Sequence, residues 1–181
     1  MPKKSIFISG IHGVGKTTFS KQLENILHLP LYSASTLIKR QNSALEFPEK
    51  KIQDVAKNQD VLLQAIENFV SEEKFILDGH FTLQKENCEI VKVPLSTFEQ
   101  LSPDLMILLL DDPVKIQQRI NIRNDVFFEQ EFLRNMQETE LRYSQEISNH
   151  LNIPLVCLNG FSAFELFLKS AIKGVIEDVY N

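Results

Sequence analysis

Apolar positions along the chain follow two rhythms. Short continuous runs occur at Ser5-Ile6-Phe7-Ile8-Ser9, Lys74-Phe75-Ile76-Leu77-Asp78, Leu105-Met106-Ile107-Leu108-Leu109-Leu110 and Ile153-Pro154-Leu155-Val156-Cys157-Leu158. They predict strands over 5–9, 74–78, 105–110 and 153–158, with a shorter one near Leu31. The run at 105–110 is apolar on both faces, as a central parallel strand must be. Between the runs the spacing is helical, as at Phe19, Leu23, Ile26 and Leu27. Helices are predicted over 16–28, 34–42, 49–72 (in one or two pieces), 95–101, 113–123, 128–149 and 162–178.

Boundary residues sharpen some of these elements. Asp112 suits an N-cap and Pro113 the first helical position. Ser162 with Glu165 forms a candidate capping box for the last helix. Phe81–Leu83 and Ile90–Val93 flank the turn-rich stretch 84–89 and predict a hairpin. The alternation of strand and helix predicts a doubly wound α/β sheet with ligands at the strand carboxyl ends. No repeat, low-complexity segment or Pro/Gly/Ser linker divides the chain, so residues 1–181 read as one domain.

Composition narrows the class without deciding it. The 181 residues are 43% hydrophobic and 24% charged, ordinary for a globular domain with a sizeable core. The net charge of −5 argues against broad nucleic-acid binding. A basic cluster at Lys39, Arg40, Lys50 and Lys51 reads as a solvated face. Lys3 and Lys4 precede no long apolar stretch, so neither a signal peptide nor a membrane span is expected, and a cytoplasmic location is. Cys88 and Cys157 lack metal-ligand spacing and are expected to be free, buried thiols.

Chemistry enters at Gly10-Ile11-His12-Gly13-Val14-Gly15-Lys16-Thr17, a G-x-x-x-x-G-K-[ST] sequence between a predicted strand and a predicted helix. In this phosphate-binding loop the glycines let the backbone curl its N–H groups toward phosphate oxygens. Lys16 reaches the β- and γ-phosphates, and the Thr17 hydroxyl is a ligand for Mg²⁺. The helix that follows presents its positive end to the anion. Gly10, His12, Gly13, Val14, Gly15, Lys16, Thr17 and Thr18 are therefore candidate ATP-binding residues, although His12 also reads as an ordinary loop histidine.

Three further segments bear on the reaction. Asp78-Gly79-His80 closes a core strand, where an acid can hold Mg²⁺ opposite Thr17 or orient an attacking hydroxyl, or can simply be a turn residue. Arg119 and Arg123, four residues apart, share one helix face, and two guanidinium groups there can brace the dispersed charge of a phosphoryl group in flight. Residues 123–142 then form a candidate lid, with a short break at 124–128 and a long helix carrying Arg134 and Arg142. Arg142 also has Glu138 one turn earlier as a surface partner.

Taken in order, these anchors resemble the nucleoside monophosphate kinase family. The loop, the Leu77-Asp78-Gly79 strand end, and Leu110-Asp111-Asp112-Pro113 leading to Arg119-Ile120-Asn121-Ile122-Arg123 all fit the family pattern across most of the chain. The short lid and the wording of the loop look most like archaeal-type adenylate kinases and their bacterial relatives. The resemblance implies a three-layer α/β/α P-loop NTPase fold with a central, mostly parallel sheet. It further implies an acceptor-binding helical insertion at 33–72, a short lid, and ATP with Mg²⁺ as cofactors. Gly160 and Phe161 fall where the family's backbone holds adenine.

The acceptor half departs from the pattern. Ser33-Ala34-Ser35-Thr36-Leu37-Ile38-Lys39-Arg40 lacks the family's Asp, leaving Lys39 or Arg40 as the cation. His80-Phe81-Thr82 replaces the usual Phe-Pro-Arg, whose Arg holds the acceptor phosphate. Ser33, Lys39, Arg40, Gly79 and His80 are the candidate acceptor residues, with Lys16, Asp78, Arg119, Arg123 and Arg142 as the catalytic set. The expected activity is ATP-dependent phosphoryl transfer to a small acceptor, foremost a nucleoside monophosphate. A non-nucleotide hydroxyl acceptor and a nucleotide-binding regulatory ATPase are the competing readings.

Overall fold

The computed structural model describes residues 3–44, 55–85, 88–123 and 128–172. In chain order the described elements are β1 (Lys4–Ser9), α1 (Lys16–Leu27), β2 (Leu31–Ser33), α2 (Ala34–Ala44), α3 (Val55–Phe69), β3 (Lys74–Asp78), β4 (Thr82–Gln84), β5 (Ile90–Lys92), α4 (Leu95–Leu101), β6 (Leu105–Leu110), α5 (Pro113–Arg123), α6 (Gln130–Leu151), β7 (Leu155–Asn159) and α7 (Phe161–Ile172).

Five strands form one parallel sheet in the order β2-β3-β1-β6-β7. The register aligns Ile8 and Ser33 with Asp78, and Ser9 with Leu108. The strand ends that carry the candidate chemistry therefore share one edge. β1 lies centrally, and the chain departs first to β2 and β3 on one side, then to β6 and β7 on the other. The loop after β1 thus sits at the switch point, where doubly wound sheets bind ligands. β4 and β5 form a separate antiparallel hairpin, as the flanking apolar pairs predict.

Successive side chains of a strand point to opposite faces, and β1 shows this directly. Ile6 and Ile8 pack with Leu105, Ile107 and Leu109 against α1 and α7, through Phe19, Leu23, Phe164 and Leu168. Phe7 turns the other way and joins Phe75, Leu77, Met106 and Leu108 against α3 and α4. Leu133 and Met136 of α6 belong to the first core, and its Tyr143 and Ile147 belong to the second. The result is the expected helix–sheet–helix sandwich.

Several boundaries differ from the sequence reading. Asp112 does cap α5, its carboxylate accepting from Val114 N at 2.8 Å. Ser162 does not cap α7. The helix begins at Phe161, and Gly160, at φ 80°, accepts from Ala163 N and Phe164 N through its carbonyl. An Asn-Gly turn supplies the positive φ that a serine cap cannot. Both cysteines are exposed rather than buried. Cys88 falls in the hairpin turn, and Cys157 lies on β7, the edge strand of the sheet. The predicted helix 49–72 is described as α3 from Val55, and its earlier part, with Lys50 and Lys51, lies outside the described residues. So do the end of the predicted helix 162–178 and the break at 124–127.

The rings of Phe7, Phe81 and Phe98 pack together with centroids 5.0–5.4 Å apart, and Phe98 is fully buried. Truncation to alanine leaves a large cavity. Phe98→Ala is expected to lower unfolding free energy by about 3–5 kcal/mol in urea titration, at unchanged m value.

Candidate active site

The loop between β1 and α1 is held by close packing at two glycines. A Cβ on Gly13 would lie 2.6 Å from Ile120 Cγ1, and one on Gly15, at φ 107°, would lie 2.9 Å from the Phe161 ring. Gly15 caps α1 with no side-chain hydrogen bond. The first turn of the helix therefore keeps donors for an anion rather than for a capping side chain.

Arg119 braces this loop from α5. Its guanidinium donates to the carbonyls of Gly13 (3.1 Å) and Val14 (2.9 Å), pairs with the Asp111 carboxylate, and lies over the Phe161 ring at 4.6 Å. Asp111 is in turn fixed by Gln137, which accepts from its N–H at 3.0 Å and donates to its carbonyl at 2.8 Å. Gly160 and Phe161 stand beside Arg119, at the end of the loop where the sequence reading put adenine.

Lys16 occupies the opposite side. Its ammonium donates to Gly79 O (2.6 Å), pairs with Asp78 Oδ1 (2.7 Å) and lies 3.1 Å from His80 Nε2. An ammonium only donates, so His80 accepts through Nε2. The other ring nitrogen, Nδ1, is buried, has no hydrogen-bond partner, and lies 3.8 Å from Glu140 Oε1. Glu140 is fully buried on α6. It accepts from Ser9 Oγ (2.9 Å), Phe81 N (3.3 Å), Thr82 N (3.2 Å) and Thr82 Oγ1 (3.2 Å).

Two adjoining cavities open here. The first, about 250 Å³, is lined by Ile11, His12, Gly13, Gly15, Lys16, Thr17, Thr18, Ser33, Ser35, Asp78 and His80. The second, about 430 Å³, is lined by Thr17, Lys21, Leu31, Tyr32, Ser33, Thr36, Leu37, Arg40 and Asp78. Thr17, Ser33 and Asp78 belong to both. Arg40 lies over the Phe69 ring at 4.1 Å. The Tyr32 hydroxyl donates to Glu72 at 2.6 Å, and its pKa is pushed up to about 12 by burial and then by that bond.

The sequence profile of a family described as an AAA domain matches residues 9–126. This span runs from the end of β1 through Asp78 and Arg119 to the far side of α5. The chain belongs to this AAA-domain family. No curated protein matches its sequence. The fold is shared with a shikimate kinase from Acinetobacter baumannii in complex with shikimate (TM-score 0.60, 15% identity, 97% of this chain and 94% of that one). It is also shared with a gluconokinase from Sinorhizobium meliloti 1021 (TM-score 0.57, 14% identity, 98% and 94%) and with TT1252 from Thermus thermophilus (TM-score 0.56, 13% identity, 100% of both). The P-loop NTPase fold and its five-stranded parallel sheet are thus those of known kinase structures.

Within this AAA-domain protein the predicted residues separate into groups. Lys16, Thr17, Ser33, Asp78, Gly79 and His80 meet at one place. Arg40 lines the second cavity, whereas Lys39 is exposed and lines neither. Arg142 and Arg134 are exposed on α6 and line neither cavity. Arg123 ends α5, and its side chain lies outside the described residues. Glu140 was absent from the sequence reading, and Asp111 entered it only within the Leu110–Pro113 anchor, with no role of its own. Glu140 had a legible signal, a charge on the helix stripe Leu133, Met136, Glu140, Tyr143, Ile147.

Two outcomes are expected. Gly15→Ala forces a side chain into the Phe161 ring at a left-handed φ, so nucleotide binding measured by calorimetry should weaken at least about tenfold, the equivalent of 1.4 kcal/mol. Tyr32 holds its proton more tightly when folded than the ordinary phenol near 10. Its stabilising contribution is therefore complete below pH 10 and is lost as pH rises toward 12. Tyr32→Phe should flatten that segment of the stability–pH curve.

Proposed function

We propose that the protein transfers the γ-phosphoryl group of ATP to a small acceptor held in the cavity between α1, β2 and α2. The observation that carries this reading is the placement of Asp78 at the junction of the two cavities. One cavity follows the phosphate-binding loop, and the other is enclosed by side chains fit to hold a second molecule. Phosphoryl transfer asks mainly for positioning and charge stabilisation. Lys16 and the loop amides hold the donor phosphates, Arg119 keeps the loop in the shape whose amides stabilise the moving charge, and Phe161 with Gly160 supports the base. Arg123 is retained as a lid cation, whereas Arg142 stands exposed on the core helix α6, lines neither cavity and is not one.

Thr17 and Asp78 are hard oxygen donors on one cavity wall, and Mg²⁺ takes one or two such protein ligands with the remainder from phosphate and water. The residues fit that ion. When bound, it would neutralise charge on the β- and γ-phosphates.

For the acceptor, the geometry favours a hydroxyl. A phosphate acceptor brings its own charge and calls for guanidinium groups beside the transfer point. Among the described residues that line the first cavity there is no arginine, and Asp78 and His80 stand there instead. A carboxylate can accept the proton of an attacking hydroxyl. The cations Lys21 and Arg40 lie in the second cavity, suiting an anionic group on the far end of the acceptor. A shikimate kinase and a gluconokinase sharing the fold agree with a small non-nucleotide acceptor. The second reading is a nucleoside monophosphate, in keeping with the sequence pattern of archaeal-type adenylate kinases. Leu31, Tyr32 and Leu37 favour it as an apolar wall for a base, with Arg40 for its phosphate.

A panel of hydroxy acids, sugars and nucleoside monophosphates, read as acceptor-stimulated ADP release, tests the assignment. Stimulation by hydroxyl acceptors alone is expected. Stimulation by monophosphates alone favours the second reading, and slow hydrolysis that no acceptor stimulates favours a regulatory ATPase. Lys16→Ala should abolish transfer, and Arg119→Ala should lower kcat by about 10²–10³ while weakening ATP binding far less.

A further inference from the structure

Glu140 is a fully buried carboxylate that the proposed transfer does not touch, yet it lies behind His80, one of the two imidazoles that line the first cavity. His80 has unequal surroundings at its two nitrogens. Nε2 meets the Lys16 ammonium at 3.1 Å, a group that can only donate. Nδ1 is buried, meets no hydrogen-bond partner, and faces Glu140 Oε1 at 3.8 Å. With the proton on Nε2, the ring would set an N–H against an ammonium and a lone pair against a carboxylate. With the proton on Nδ1, both contacts become attractive.

Glu140 cannot rotate away from this duty. Each of its oxygens accepts from two donors: Ser9 Oγ and Phe81 N on Oε2, Thr82 N and Thr82 Oγ1 on Oε1. These four bonds use a carboxylate's accepting capacity. His80 therefore receives the field of a fixed, desolvated charge rather than a share of its hydrogen bonds, and that field is screened little by solvent.

We propose that Glu140 is a positioning residue that holds His80 as its Nδ1–H tautomer, keeping the Nε2 lone pair aimed into the first cavity. In the nucleotide-free protein this lone pair, with Gly79 O and Asp78, holds Lys16. When donor phosphates draw Lys16 away, Glu140 alone maintains the tautomer. Nε2 is then an acceptor beside Asp78, placed to orient the hydroxyl of the second substrate. This last part rests on the hydroxyl-acceptor reading above; the tautomer assignment does not.

Long-range ¹H–¹⁵N spectra of the imidazoles, recorded well above the ordinary histidine pKa of about 6.5, test the assignment without activity, with His80 identified by the signals lost in His80→Gln. In wild-type protein His80 should be the Nδ1–H form, both free and with a non-hydrolysable ATP analogue. The Nε2–H form in either state overturns the proposal, whether or not any Glu140 variant folds. Glu140→Gln should populate both tautomers. It should lower acceptor-dependent kcat about tenfold, the value of one lost hydrogen bond, with little change in KM. It should have no further effect in a His80→Ala background. Additive losses in the double variant, or an unaltered tautomer in Glu140→Gln, would show that Glu140 serves only the packing of α6. If His80 has the expected tautomer but no hydroxyl acceptor is phosphorylated, the acceptor reading fails and the positioning role stands.

Discussion

A carboxylate taken out of water costs several kcal/mol unless donors surround it, and meeting that demand at Glu140 organises the edge of the sheet that carries the candidate site. Its four donors come from the last residue of β1 and the first two residues of the β4 hairpin, so one side chain of α6 ties together three segments that are far apart in sequence. Ser9 immediately precedes the phosphate-binding loop, and Phe81 follows His80. The positions of the loop and of the Asp78-Gly79-His80 turn are consequently set by the same charge. Thr82 N donates there to Glu140, and Phe81 N divides its bond between Glu140 and Ser9 Oγ, itself held by Glu140, so any rearrangement of this edge carries a penalty.

On the proposed reading the site has a donor half and an acceptor half, and the two are built differently. The donor half is backbone held by backbone-directed side chains: Arg119 on two loop carbonyls, Gln137 on both main-chain groups of Asp111, Phe161 against Gly15. Such a frame tolerates little change, because a single Cβ at Gly13 or Gly15 collides with it. The acceptor half is made of side chains on α1, β2 and α2, steadied by Tyr32 on Glu72 and by Arg40 over Phe69. A wall of this kind changes its chemistry by substitution without disturbing the sheet.

That division explains what the sequence displayed. β1, β3, β6 and the loop were legible because local rules govern them: apolar runs, a glycine pattern with a required backbone shape, Asp112-Pro113 at a helix start. Asp78 and Arg119 were legible because spacing ties them to those elements. The cap of α7 was misread because Ser162 and Glu165 satisfy a local pattern, whereas Gly160 offers the positive φ that the turn from β7 needs. Cys157 was misread because burial depends on which strand lies at the sheet edge, a property of topology, and Cys88 because it falls in the hairpin turn. Glu140 escaped notice because its partners are 58 to 131 residues away; only its place on an apolar stripe announced it.

The charges at the centre of the site argue for an order of events on the proposed reading. Lys16 lies 2.7 Å from Asp78, both side chains being largely shielded from solvent. One ammonium cannot neutralise Asp78 and donor phosphates at full strength together. Drawing Lys16 to the phosphates leaves Asp78 without its partner, and Asp78 with Thr17 would then hold a divalent cation, which would supply the missing positive charge. The same displacement uncovers His80 Nε2. An acceptor hydroxyl entering before the nucleotide would find His80 Nε2 engaged by Lys16, and one entering afterward would find it available. Donor binding thus prepares the acceptor side through the movement of one side chain, with the sheet, the loop and Glu140 remaining in place.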